Sequence, residues 1–132
     1  MSRENVEVVA QAVAARNRGD MDAIVRLVSP DVVVDATRRL FDPATYSGHD
    51  GLKAFIASLE EAWSEQQTRV ERWVDTGDQV VALVHLRSTG RSSEISVDAH
   101  PSWVYEVRDG KIARMTVYQT WDEGLEAVGL RE

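Results

Sequence analysis

The spacing of apolar residues changes near Gln66, and this change constrains the fold more than any other feature of the chain. Before Gln66, apolar residues recur every three or four positions, as along one face of an α-helix. Two such stripes stand out: Val6, Val9, Ala10 and Val13, and then Leu52, Phe55, Ile56, Leu59 and Trp63. After Gln66 the pattern predicts strands at residues 68–75, 79–88, 95–107 and 111–121. Early helices and late, hairpin-linked strands predict an α+β domain whose antiparallel sheet curls around three N-terminal helices.

Residues that stop or start an element support this division in the first half of the chain. Gly19 ends the first helix, because glycine adopts the left-handed conformation after a helix at little cost. Asp20 begins a short second helix, which Pro30 ends. Residues 32–35 then form a strand, and residues 46–51 turn into the third helix.

Similar signals mark the second half. The polar residues 88–94 predict a turn, and Pro101 predicts a bend or bulge because proline cannot donate to a sheet ladder. Asp109-Gly110 predicts a two-residue hairpin turn with positive φ at both positions. The chain then closes in a short C-terminal helix, capped by Asp122 and stopped at Gly129.

Length and charge limit the classes of partner. The 132 residues predict one domain, 1–132, that is long enough to bury a core. The net charge of −7 disfavours nucleic acid and anionic lipid, because both are themselves negative. The absence of cysteine excludes disulfides and thiolate metal sites. With no signal-peptide pattern and no long apolar run, we expect a cytoplasmic protein with no membrane partner.

Three stretches together resemble a known family. They are "RNRGDMDAIVRLVSPDVVV", "YSGHDGLKAF" and "VRDGKIARMTVYQTWDEGLEAVGL". In this order they look like the SnoaL-like branch of the nuclear transport factor 2-like superfamily. The resemblance implies a cone, in which the sheet wraps around a pocket that the helices close, and a homodimer that pairs through the sheet. The superfamily includes ketosteroid isomerases, polyketide cyclases, epoxide hydrolases, dehydratases and proteins without known activity, so the fold does not fix the function.

The ketosteroid isomerase residues are missing from this chain. Alignment on the shared motifs places the isomerase tyrosine on Ala12, its basic aspartate on Ala36 and its second aspartate on Ser102. Asp35 precedes Ala36, and strand alternation directs it to the opposite face. Asp35 serves as a base only if the strand shifts by one residue.

Asp98 and His100 are the first candidates for other acid/base chemistry. They lie two residues apart on a predicted strand, hence on one face, where they can act on a water molecule together. No arginine accompanies them, as an epoxide hydrolase relay would require. Alternatively, their face, which includes Ser96 and Ser102, is turned to solvent or to a second subunit. The residues leave both interpretations open.

Asp122 is the third candidate. The resemblance to polyketide cyclases implies an acid/base aspartate near the last strand, whereas Asp122 is also a natural helix cap. His49 and His85 lie far apart in the chain, and neither has metal-ligand spacing with His100, so we expect no metal. No phosphate loop or dinucleotide fingerprint is present, and we expect no cofactor.

Large apolar side chains are frequent at positions that would line the cone. We expect the pocket walls to comprise Tyr46, Phe55, Trp63, His85, Trp103, Met115, Val117, Gln119 and Trp121. An apolar pocket with few polar groups is typical of small-molecule sites, although the rings can equally fill the space themselves. The sequence therefore predicts that the chain binds a small hydrophobic or aromatic molecule. It leaves open whether the chain is an isomerase, cyclase, hydrolase or dehydratase without a cofactor, or a non-catalytic carrier or protein-interaction module.

Overall fold

The computed structural model describes residues 2–39, 43–90 and 95–130. The helices are α1 (Ser2–Asn17), α2 (Met21–Leu27), α3 (Gly48–Ala62) and α4 (Trp121–Ala127). The strands are β1 (Val28–Ala36), β2 (Ala44–Ser47), β3 (Trp63–Asp75), β4 (Gln79–Gly90), β5 (Ser96–Ala99), β6 (Ser102–Arg108) and β7 (Lys111–Tyr118). No helix in these three segments is long and apolar enough to cross a membrane.

The strands form one sheet in the order β2-β1-β7-β6-β4-β3, and β5 pairs with the second half of β4. The predicted α+β architecture is therefore confirmed. The sheet is mixed rather than wholly antiparallel, because β1 enters it beside the last strand, β7, and runs in the same direction. All other pairs of neighbouring strands are antiparallel.

The sheet is covered on both faces, and β4 shows this directly because its successive side chains alternate between them. On one face, alternate residues of β4 join the core beneath α1, α2 and α3: Val80, Ala82 and Val84. We call this the helix-covered face. On the other, the intervening residues pack with Val104 of β6 and Leu125 of the last helix: Val81 and Leu83. We call this the α4 face.

The ends of the first two helices follow the predicted signals with one difference. Gly19 has a φ of 72°, and the Asp20 carboxylate accepts a hydrogen bond from the Ala23 amide at 3.1 Å. However, α2 ends at Leu27 and not at Pro30. It ends early because Val28 already pairs with Ile112 of β7, so that Pro30 lies inside β1.

Three predicted boundaries, at β2, β3 and β4, were wrong. Residues 44–47 form a short strand before the third helix, in register with β1. Trp63, which we placed in the third helix, begins β3 and pairs with Gly90. The long ladder between β3 and β4 thus extends into a segment whose apolar spacing alone indicated helix. It also includes residues 88–90 of the predicted turn, and residues 91–94 lie outside the described part of the chain.

The predicted long strand is interrupted at His100 and Pro101, where β5 ends and β6 begins. It contains no bulge at Pro101, because the pairs Leu83–Ser102 and Leu86–Ala99 keep one register with β4. The Pro101 carbonyl still accepts a hydrogen bond from the Val84 amide at 3.0 Å. Alternation therefore continues unchanged across the interruption.

The hairpin turn and a last helix are present as predicted, but the last strand ends at Tyr118 rather than at residue 121, so that Trp121 begins α4, and the cap differs. Asp109 and Gly110 have φ values of 53° and 75°. The N-cap of α4 is Thr120, not Asp122, and Thr120 forms a reciprocal capping box with Glu123. Gly129, with a φ of 84°, follows the end of the helix.

Gly124 lets α4 approach the sheet closely, and we predict that Gly124→Ala lowers the free energy of unfolding. A Cβ there would overlap the Ser102 hydroxyl and lie 2.7 Å from the Ser102 Cβ. Overpacking typically costs about 1–3 kcal/mol, enough to exceed the gain of about 1 kcal/mol in helix propensity. Urea denaturation measures the change, with Glu126→Ala, exposed on the same helix, as the control.

In a Ser102→Gly background, Gly124→Ala should lower the free energy of unfolding by less, because the Ser102 side chain that the new Cβ would contact is absent. A Gly124→Ala variant as stable as the native chain would show that α4 does not rest on Ser102.

Candidate functional site

The helix-covered face carries a wall of large apolar side chains that are only partly buried. Phe55 is buried in the core, and its ring centroid lies 5.4 Å from that of Tyr46. Around them, the following residues pack against the core while keeping some exposure: Tyr46, Leu59, Trp103, Met115 and Val117. Five of the predicted pocket residues thus lie on one side of the sheet: Tyr46, Phe55, Trp103, Met115 and Val117.

Among the described residues, two hydroxyl groups and one cation adjoin these apolar side chains. Tyr105 is buried beside Met115, and burial raises the pKa of its phenol far above the usual range. Arg39 is half-buried and donates a hydrogen bond from Nη2 to the Tyr46 hydroxyl at 3.0 Å. Its guanidinium carbon lies 5.9 Å from the Tyr46 ring centroid and 5.6 Å from that of Phe55.

Sequence reasoning missed Arg39. A usable signal was the pair Arg38-Arg39 directly after β1, since neighbouring residues at a strand end tend to point to opposite sides. Arg38 indeed points the other way, over the Tyr118 ring at 4.8 Å and towards Asp35.

Four predicted pocket residues lie away from the apolar wall. His85 and Trp121 lie on the α4 face, where Trp121 is the first residue of α4. Gln119 is exposed, and its side-chain amide donates to the Arg38 carbonyl at 2.6 Å. Trp63 is half-buried at the start of β3, opposite Gly90.

The acid/base candidates lie on the α4 face. Because β4, β5 and β6 keep one register, His85 shares a face with Leu83, while Asp98 and His100 share it with Ser102. A hydrogen bond of 2.8 Å joins His85 Nε2 to Asp98 Oδ1. Arg87 Nη1 lies 3.5 Å from the other carboxylate oxygen, so an arginine does lie beside Asp98, contrary to the expectation from the sequence. The His100 ring stacks on His85 with centroids 5.0 Å apart. We call His85, Asp98 and His100 the His-Asp cluster.

The last helix completes this second region. The Trp121 ring meets His100 edge-to-face at 6.0 Å, and its indole N–H donates to the Val84 carbonyl at 3.0 Å. An open concavity of about 450 Å³ lies beside the cluster, lined by Asp98, Ala99, His100, Gln119, Thr120, Trp121 and Asp122. The three predicted acid/base residues therefore come together, but outside the helix-covered face.

Asp35 is part of an ion network and not of the apolar wall. Val34 and Ala36 beside it are in the core, whereas its own carboxylate accepts from the Thr37 hydroxyl at 2.6 Å. Arg38 and Arg114 approach it at 3.4 and 3.2 Å. The Thr37 hydroxyl, its amide and the two arginines hold the Asp35 pKa below its usual range, and partial burial opposes them.

The described residues offer no metal site, since no three histidine, aspartate or glutamate side chains among them are grouped to hold an ion. Chemically, the helix-covered face presents apolar contact area, two phenols and a guanidinium. The α4 face presents an imidazole–carboxylate pair open to solvent.

Comparison with known proteins places the fold in a family. A family model described as a SnoaL-like domain matches residues 9–115, which confirms the predicted resemblance. No curated protein matches the chain in sequence.

Solved structures share the fold at low identity. A putative SnoaL-like polyketide cyclase from Jannaschia sp. CCS1 is 20% identical, with a TM-score of 0.78 over 89% of this chain and 85% of that one. TerC, co-crystallised with polyporic acid, is 20% identical, with a TM-score of 0.79 over 95% and 98%. RV0760c from Mycobacterium tuberculosis, in complex with estradiol-17beta-hemisuccinate, is 17% identical, with a TM-score of 0.76 over 90% and 95%.

The network around Asp35 predicts a pH-dependent contribution to stability. Because the folded pKa is lowered, the unfolded chain binds more protons in the window below the ordinary value of 3.8. The stabilisation is therefore complete above about pH 5 and is lost as the pH falls through the folded pKa.

We expect Asp35→Asn to be less stable than the native chain at pH 7, by about 1–2 kcal/mol, as for other hydrogen-bonded charges. The difference should shrink steadily in denaturation curves taken below pH 4. Glu126→Gln, exposed on α4, is the control. A difference that is the same at pH 7 and pH 3 would contradict the assignment.

Proposed function

The chain belongs to the SnoaL-like domain family, and on this basis we propose that it binds a small hydrophobic or aromatic molecule on the helix-covered face. One observation carries the proposal: the core on that face continues into rings and aliphatic side chains that stay partly exposed, Trp103, Met115 and Val117 among them. Apolar side chains that line a concave surface provide most of the binding area in small-molecule sites.

Two structures with the same fold support the ligand class. TerC was crystallised with polyporic acid, and RV0760c was crystallised with an estradiol ester. Both ligands present a largely apolar body, and a wall of rings such as Tyr46, Phe55 and Trp103 suits a body of that kind.

The separation of the two faces favours binding without catalysis. Asp98, His100 and Asp122 lie across the sheet from the apolar wall, so a molecule held on the wall meets none of them. A carrier or sensor requires only the wall. This is our first choice among the functions that the family allows.

The test is a thermal-shift screen of steroids, aromatic polyketides, epoxides and fatty acids. A ligand at 100 times its dissociation constant should stabilise the protein by about 2.7 kcal/mol. Val117→Trp fills the wall opposite Trp103 and should abolish that ligand-dependent shift. Asp98→Asn, on the α4 face, should leave it intact. A shift that survives Val117→Trp but not Asp98→Asn would move the site to the α4 face.

The 2.8 Å contact between His85 and Asp98 supports a second candidate, cofactor-independent acid/base chemistry in the concavity beside α4. There Asp98, His100 and Asp122 line the concavity and contact the reacting molecule, while the hydrogen bond from His85 orients the Asp98 carboxylate. In this case Asp98→Asn slows the turnover of whichever screened compound is consumed. The carrier function gives no turnover at all.

We also propose that two chains pair through the side of β1, β6 and β7 that faces away from the first three helices. The mixed charges there support a self-complementary contact, because Asp35 and Glu106 alternate with Arg38 and Arg114. We expect sedimentation at micromolar concentration to give twice the chain mass of 14.8 kDa. A single-chain mass would rule this pairing out.

A further inference from the structure

We propose that Arg39 makes the helix-covered face selective for hydrophobic molecules that carry an acidic oxygen, such as a carboxylate or an ionised enol. This inference rests on the proposed function, because it requires that a molecule binds there. It adds the chemical class of the polar end of that molecule.

The backbone explains why this arginine reaches the wall. After β1 ends, the Arg39 amide donates to the Ala36 carbonyl at 3.3 Å, which turns the chain. Arg38 then faces outward to Asp35 and the Tyr118 ring. Arg39 faces inward to the rings of Tyr46 and Phe55. Two identical side chains, adjacent in sequence, thus serve opposite sides of the molecule.

The surroundings of Arg39 suit an acidic oxygen. Its guanidinium lies within 6 Å of two ring centroids, and its Nε is buried. In an apolar setting a positive charge interacts more strongly with an anion than it does in water. A guanidinium also has five N–H donors in a fixed plane, a geometry that matches a carboxylate.

Tyr46 supplies a second donor. Its hydroxyl oxygen accepts the hydrogen bond from Arg39 Nη2 at 3.0 Å, so its own hydrogen points elsewhere. One acidic oxygen beside the pair can therefore receive an O–H from Tyr46 and an N–H from Arg39. The apolar body of the ligand would then extend along Phe55 towards the wall.

The net charge of the chain makes the positive charge of Arg39 important for binding an anion. The chain has a net charge of −7, which repels an anion at long range. The charge of an acidic ligand therefore adds to its affinity only where a nearby positive group outweighs that field. On the helix-covered face, among the described residues that line the wall, Arg39 provides this group.

The experiment compares two probes that differ only in charge, 2-naphthoate and the neutral 2-naphthamide, by isothermal calorimetry at pH 7.5. The native chain should bind the acid at least tenfold more tightly than the amide. Arg39→Met should lower the affinity for the acid at least tenfold and change the affinity for the amide less than threefold. The matched control is Arg38→Met. It removes an identical charge from the preceding residue, which faces away from the wall, and should change neither affinity.

The outcomes separate the two proposals. If neither probe binds the native chain, the proposed function fails for aromatic ligands and the inference fails with it. If both probes bind equally, or Arg38→Met weakens the acid as much as Arg39→Met does, the inference is overturned while the binding function stands.

Circular dichroism checks that Arg39→Met is folded. If it is not, Tyr46→Phe takes its place and should reduce the preference for the acid several-fold. An unchanged preference in that variant would overturn the inference.

Discussion

The packing of β4 between two layers is the constraint on which the rest of the structure depends. Five consecutive residues, 80–84, are fully buried, which is possible only where both faces of a strand are covered. The first three helices cover one face and α4 covers the other. Gly124 allows the second contact, since α4 rests directly on Ser102. Each side chain on the neighbouring strands is assigned to a face by its register with β4.

That register decides where the chemistry lies. The pairing of β4 with β5 and β6 continues without a shift past Pro101, so Asp98 and His100 stay on the face of Ser102. A single extra residue there would have turned both side chains towards the apolar wall. The alternation of polar and apolar residues along this strand indicated the observed arrangement. The family alignment, which placed an active-site aspartate of the isomerases on Ser102, indicated that this face lines the pocket. Ser102 is buried, but against α4.

The elements were predictable where one physical signal dominated. Helical spacing, the Asp20 cap and the Asp109-Gly110 turn act locally, and each appears as predicted. Trp63 was misassigned because its conformation depends on a partner distant in sequence, Gly90, with which it pairs in the ladder between β3 and β4. Asp122 was misassigned because a neighbouring residue, Thr120, forms the N-cap instead. Arg39 was missed for a similar reason. Nothing around it in sequence shows that Phe55, sixteen positions away, will lie beneath its guanidinium.

The two faces also decide which functions can coexist. Proton transfer requires about 2.6–3.2 Å between the heavy atoms of catalyst and substrate. A molecule lying against Trp103 and Val117 has the sheet between itself and the His-Asp cluster, so Asp98 and His85 cannot act on it. Among the described residues of the wall, an acid/base step on such a molecule would have to use Tyr46, Tyr105 or Arg39. Of these, Tyr105 holds its proton tightly because it is buried, and an arginine does not give up its proton in proteins. Among the described residues of the wall, that leaves Tyr46. Under the proposed function, the helix-covered face holds a molecule and orients its polar end, and the His-Asp cluster can act only on a molecule bound on the α4 face.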